Sequence, residues 1–149
     1  MGGSTNIGTM DLEVLFEKLN KLLDILRTSN EENLFENLSD FDEVYFELSS
    51  RTLNSTYFDI LEDADEKKEK VLERFEDEVN KKLDENMSAS EKTDVGTEEG
   101  KKLFIELNAQ WSELSAFQNK LVGYRISSTK RGLEITKVKF KELKESANK

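Results

Sequence analysis

The chain contains no cysteine, no histidine and no proline. Each absence removes chemistry. Without cysteine there is no disulfide framework, thiol nucleophile, iron–sulfur cluster or thiolate zinc site. Without histidine, the Ser-His-Asp triad, the His-ligated haem, the common catalytic zinc sites and the Glu-x-x-His di-iron bundle are excluded as well. Proline breaks helices, so its absence leaves long helices uninterrupted. Apolar residues are also scarce, at 36% of 149 residues, and no run approaches the ~18–20 that a membrane-spanning helix needs. The first ten residues carry no Lys or Arg and no apolar stretch, which argues against a secretory signal peptide. These features point to an intracellular protein, an export signal outside this sequence aside.

Charge is abundant instead. Charged residues make up 36% of the chain, against a usual ~25%, and the net charge is −10. The distribution is uneven: residues 1–100 carry a net −16 and residues 101–149 a net +6. That balance suits a thin helical bundle, where much of each helix faces water, and periodicity identifies the helices. Leu12, Leu15, Phe16, Leu19, Leu22, Leu23 and Leu26 fall on one face of a helix predicted from Met10, capped by Thr9, to Arg27. Val14 and Ile25 would widen that face. Thr28-Ser29-Asn30 ends it.

A short helix is expected over Glu31 to Leu38, with Ser39, Asp42 and Glu43 resembling a capping box that opens another. Phe41, Tyr45 and Leu48 continue the stripe of Leu34 and Leu38. A further stripe runs through Tyr57, Leu61, Ala64, Leu72, Phe75, Val79 and Leu83, interrupted by Lys68. Asn54-Ser55-Thr56 is the weakest helical stretch, so residues 40–86 read either as one rod of about 70 Å or as two helices. Residues 87–96 read as a linker, and Thr97 caps a last helix with Glu98 and Glu99 in its first turn. Along it run Leu103, Leu107, Leu114, Phe117, Leu121 and Tyr124, flanked by Phe104 and Trp111. Gly123 and Gly132 are candidate kinks. A second set, Val122, Ile126, Thr129, Leu133, Thr136, Phe140 and Leu143, follows the heptad spacing of a coiled coil. The rival reading of residues 124–140 is a β-hairpin, disfavoured because the alternation slips at Lys137.

The expected fold is therefore all-α: an antiparallel bundle of three to five helices with long amphipathic helices. The expected layout is a disordered leader at 1–9 and a single helical domain at 10–146, with 87–96 as linker. Met1-Gly2-Gly3-Ser4-Thr5-Asn6 narrowly misses the N-myristoylation pattern, because Asn6 stands where Ser or Thr is required. The sequons at Asn37, Asn54 and Asn86 read as chance without a signal sequence.

Few motifs carry chemistry. Gly96-Thr97-Glu98-Glu99-Gly100-Lys101-Lys102 superficially resembles a phosphate loop. It is one residue short between its glycines and puts Lys102 at the magnesium-binding position, so it reads as linker plus N-cap. The acids from Asp59 to Glu66 lack the glycine of a calcium loop and fit i,i+4 pairing with Lys67, Lys68 and Lys70. The chain is expected not to be an enzyme, and to hold no metal or cofactor.

Two interaction surfaces remain. Phe35, Phe41, Val44 and Phe46, within an acidic segment, occupy more than one helical face. With Trp111 they are the candidates for binding a protein partner, unless they belong to a helix packed on two sides. Lys130, Arg131, Lys137, Lys139, Lys141 and Lys144 form a basic surface, with Lys120, Arg125 and Lys149 nearby. It suits acidic partners within the bundle or on another protein. Nucleic acid or an anionic membrane is the alternative, with nucleic acid disfavoured by the net charge. The leading expectation is a scaffold, adaptor or regulatory subunit that acts by helix-on-helix docking. A helical surface antigen or virulence factor is a further alternative from composition alone, and homo-oligomerisation is compatible with all three.

Overall fold

Four α-helices form because four apolar stripes at 3–4-residue spacing are separated by good capping residues. The computed structural model describes residues 7–51 and 53–147. After a 3-10 turn at Ile7–Thr9 come α1 (Leu12–Arg27), α2 (Leu34–Ser50), α3 (Ser55–Lys92) and α4 (Glu98–Ala147). No strand occurs among the described residues, so the hairpin reading of 124–140 is replaced by continuous helix. The fold is an all-α helical bundle. The leader expected at 1–9, with its near-miss lipidation pattern, lies outside the described residues up to residue 6; Ile7–Thr9 are ordered as the 3-10 turn. No described helix is long and apolar enough to cross a membrane.

The chain divides into two compact units, residues 1–71 with 129–149, and residues 72–128. In the first unit, α1 buries Leu15, Phe16, Leu19, Leu23 and Leu26. Val14 and Ile25 stay about half exposed, so α1 packs on one face and not on the wider one expected. Asp11, not Thr9, is its N-cap. Thr28 and Ser29 hydroxyls donate back to the Ile25 carbonyl, and the Asn30 side chain accepts from the Glu32 and Asn33 amides. These bonds satisfy groups that a helix end leaves open.

The expected junction at Ser39 is absent, because α2 runs unbroken from Leu34 to Ser50. Asp42 is buried and turned toward α3 instead of closing a capping box. The helix buries Leu34, Leu38, Phe41 and Leu48 along one stripe, and Val44 and Phe46 beside it. It is the two-sided central helix of the unit.

Residues 40–86 are two helices, not one rod. Asn54 makes the break favourable: its side-chain oxygen accepts the Tyr57 amide at 3.1 Å, an N-cap bond for α3. Arg51 secures the connection from the other side. Its guanidinium donates to the carbonyls of Met10, Ile7 and Gly8 and pairs with Glu47 at 2.9 Å. The N-terminal 3-10 turn is thereby pinned to the end of α2. Tyr57 stacks on Phe16 with ring centroids 4.8 Å apart, joining α3 to α1.

The second unit is an antiparallel helical hairpin. Asn86 donates to the Leu107 carbonyl and Gln110, Asn80 accepts from Gln118, and Glu76 meets Arg125, so partners move up α4 as they move down α3. The reversal is narrower than the 87–96 linker expected: α3 continues to Lys92, and only residues 93–97 turn. The Thr97 hydroxyl accepts the Gly100 amide at 2.9 Å, the expected N-cap. Gly100 is required there, because a Cβ would lie 1.6 Å from the Asp94 carbonyl oxygen. The pseudo-phosphate loop is thus a helix cap.

Candidate functional site

Among the described residues no group of three or more acidic side chains is placed to hold a metal ion. An open groove of about 690 Å³ in the first unit lies between α2 and α4, lined by Phe46, Glu43, Glu47, Arg131, Glu134 and Lys139 among others. Its one hydroxyl-bearing wall residue, Ser50, donates to the Glu47 carbonyl of its own helix. Acids and bases line it together.

The aromatic candidates of α2 are not a surface. Phe41, Val44 and Phe46 are buried, and Phe35 is half-buried. Phe41 stacks on Tyr45 at 5.7 Å, and Phe46 takes the edge of Tyr45 at 5.4 Å and the Arg131 guanidinium at 4.6 Å. The docking face expected here is core, because α2 is covered on two sides. Trp111, in the second unit, is exposed to 37%, and Phe104 seven residues earlier lies beside it on α4 at 36%.

The interior of the first unit holds an ion pair at a stripe position. Lys68 is 4% exposed, and its ammonium lies 3.6 Å from Asp42 and 3.6 Å from Asp65. It also stands over the rings of Phe41 and Tyr45, at 5.9 and 5.6 Å. Burial, chiefly, and then the Asp65 charge push the Tyr45 hydroxyl up to about 12. Sequence reading took Lys68 for an interruption of the stripe. Its 3–4 spacing between Ala64 and Val71 was the available signal that it points inward.

The basic candidates separate into two sets. Arg125 forks onto Glu76, with contacts of 2.6 and 2.8 Å, Arg131 lies on Phe46, and the Lys139 ammonium stands 5.3 Å over Phe58. These three serve their own unit. Lys130, Lys137, Lys141 and Lys144 are exposed, and none has an ion-pair partner among the described residues.

Alongside that second set lie exposed apolar groups of the first unit. Leu133 is 56% exposed, and Phe140 and Leu143 are each 69% exposed. In all of α4, 50 residues long, Leu121 is the single buried side chain. The sequence signal for an exposed seam was the strict 4-3 spacing, with Thr129 and Thr136 among its positions. A pattern this narrow resembles a coiled-coil seam more than a core-facing helix.

No protein-family model matches this chain, and comparison with curated proteins and with solved structures finds no similar one.

Proposed function

We propose that the protein is a non-catalytic protein–protein interaction module, a scaffold, adaptor or regulatory subunit that docks helix on helix through α4. One observation carries this reading. A 50-residue helix buries a single side chain and leaves Leu133, Phe140 and Leu143 in water. A patch of that kind is normally covered when a protein is at work. The α2 aromatics play no direct part in this reading, since they hold the body together.

The test is capture of partners from the source lysate at moderate salt with nuclease present, comparing the natural chain with Leu133→Asp/Phe140→Asp. Stoichiometric proteins bound by the first and lost by the second, with equal helicity, are the expected result. Equal capture by both refutes docking through α4. Material recovered only when nuclease is omitted or lipid is added would instead favour nucleic acid or an anionic membrane on the lysine row.

A further inference from the structure

The strip from Thr129 to Ala147 has a composition that identifies what covers it. We infer that its occupant is an amphipathic helix of a partner protein with acidic residues along its flank. This inference rests on the interaction-module reading and adds the chemistry of the partner.

Spacing comes first. Thr129, Leu133, Thr136, Phe140, Leu143 and Ala147 follow one another at steps of 4, 3, 4, 3 and 4 residues within one helix. At 100° per residue they form a strip two residues wide per heptad, the width of a helix–helix seam. A face that sinks into lipid is broader and more continuously apolar. Here two of the six positions, Thr129 and Thr136, are threonine. The Thr136 hydroxyl is satisfied within its own helix, donating to the Gly132 carbonyl at 2.9 Å, so a helix can cover it without stranding a polar group.

Charge comes second. Lys130, Lys137 and Lys144 recur at seven-residue intervals, each three or four positions from Leu133 or Phe140, and so lie beside the strip. Lys141 lies just outside that row. Glu142 and Glu145 fall on the far side of the helix at the same 100° rotation, and Glu134 shares the heptad position of Lys141, further from the strip. The strip is therefore bordered by bases alone on its outer edge. A second copy packed antiparallel on the same strip would bring two lysine rows together, and one packed parallel would set Lys144 against Lys139, both of which are repulsive. A nucleic acid or an anionic bilayer would also meet the rest of the first unit, whose residues 1–71 carry 17 acids and 7 bases. A single helix acidic along one flank meets the lysine row alone.

The test uses the full chain and three labelled heptad peptides with one leucine core. The flanks are glutamate in the first, lysine in the second and glutamine in the third. Fluorescence anisotropy is read at low and moderate salt, with phosphatidylserine vesicles as a separate arm. The glutamate peptide should bind at least about tenfold more tightly than the lysine peptide, and salt should narrow the gap. Lys137→Glu/Lys141→Glu/Lys144→Glu should invert the order, and Leu133→Asp/Phe140→Asp should abolish binding while circular dichroism is unchanged. Equal binding of all three peptides overturns the acidic partner and leaves the interaction-module reading standing. Binding to vesicles with no binding to any peptide overturns both. Binding to nothing overturns the inference, as does a homodimer in light scattering that Phe140→Asp dissolves.

Discussion

Replacing Lys68 with methionine tests the interior of the first unit most directly. The ammonium and the Asp42 carboxylate are 3.6 Å apart, with side chains only 5% and 9% exposed. At an effective dielectric near 20, opposite charges at that separation attract by about 4–5 kcal/mol. Removing both from water costs a comparable amount, so the intact pair contributes little net stability. The asymmetry appears on mutation. Lys68→Met keeps the volume and the contact with Phe41 and Tyr45 but leaves the Asp42 carboxylate buried without the ammonium facing it. The expected loss is about 3–5 kcal/mol. With a urea m-value of about 1–3 kcal/mol per molar, the unfolding midpoint should drop by roughly 2 M. Asp42→Leu/Lys68→Met removes both charges and should return to within about 1 kcal/mol of the natural chain, or exceed it. Circular dichroism and tyrosine fluorescence through a urea titration measure all three chains. A single variant that loses under about 1 kcal/mol, or a double variant whose loss is the sum of its parts, would refute the buried-pair argument.

The Tyr45 hydroxyl supplies a pH prediction. Its folded pKa of about 12 exceeds the ordinary 10, so the folded chain holds that proton longer than the unfolded one. The contribution is complete below pH 10 and is lost as pH rises toward 12; Tyr45→Phe should flatten stability in that window, where Asp65, Asp42 and Lys68 also face the ring. Gly100→Ala should destabilise by about 1–3 kcal/mol although alanine favours helix, because the new methyl meets the Asp94 carbonyl. Ordinary helix stabilisation in thermal melts would show that the turn at 93–97 yields freely. Phe46→Asp should unfold the first unit, since even truncating such a buried ring costs about 3–5 kcal/mol. Phe140→Asp should change stability by less than about 0.5 kcal/mol. Similar melting curves for those two variants would contradict the assignment of one to the core and the other to the surface.

What could be read from sequence was local. The α1 stripe and the Thr97 cap each depend on neighbours within a turn or two, and those readings hold in the structure, while the choice between one rod and two helices over 40–86, open in the sequence, falls to the Asn54 cap. The errors arose where a distant residue decided the outcome. Ser39 to Glu43 has the letters of a capping box, but Asp42 is taken by Lys68, 26 positions later on another helix. Arg51 gives no sign in sequence that its guanidinium will collect three carbonyls from residues 7, 8 and 10. The 87–96 segment looked like a linker because Ser and Thr favour turns, yet Thr93 spends its hydroxyl on the Ala89 carbonyl, one helical turn back. The helix runs on to Lys92, and the turn itself is made by Asp94 and Gly96.

The same limit governs the surfaces. Hydrophobic periodicity reports that a helix has an apolar face, and it does not report whether another helix arrives to cover it. Phe41, Val44 and Phe46 lie on two faces of α2, and both are covered by packing partners from the same unit. Leu133, Phe140 and Leu143 follow an equally regular spacing on α4 and remain in water. Because α4 already turns Ile135 and Lys139 toward its own unit, its second stripe has no remaining helix of that unit to meet. In the docking proposed for α4, a fifth helix would complete the pattern, and the lysines beside the strip would set the sign of charge it carries.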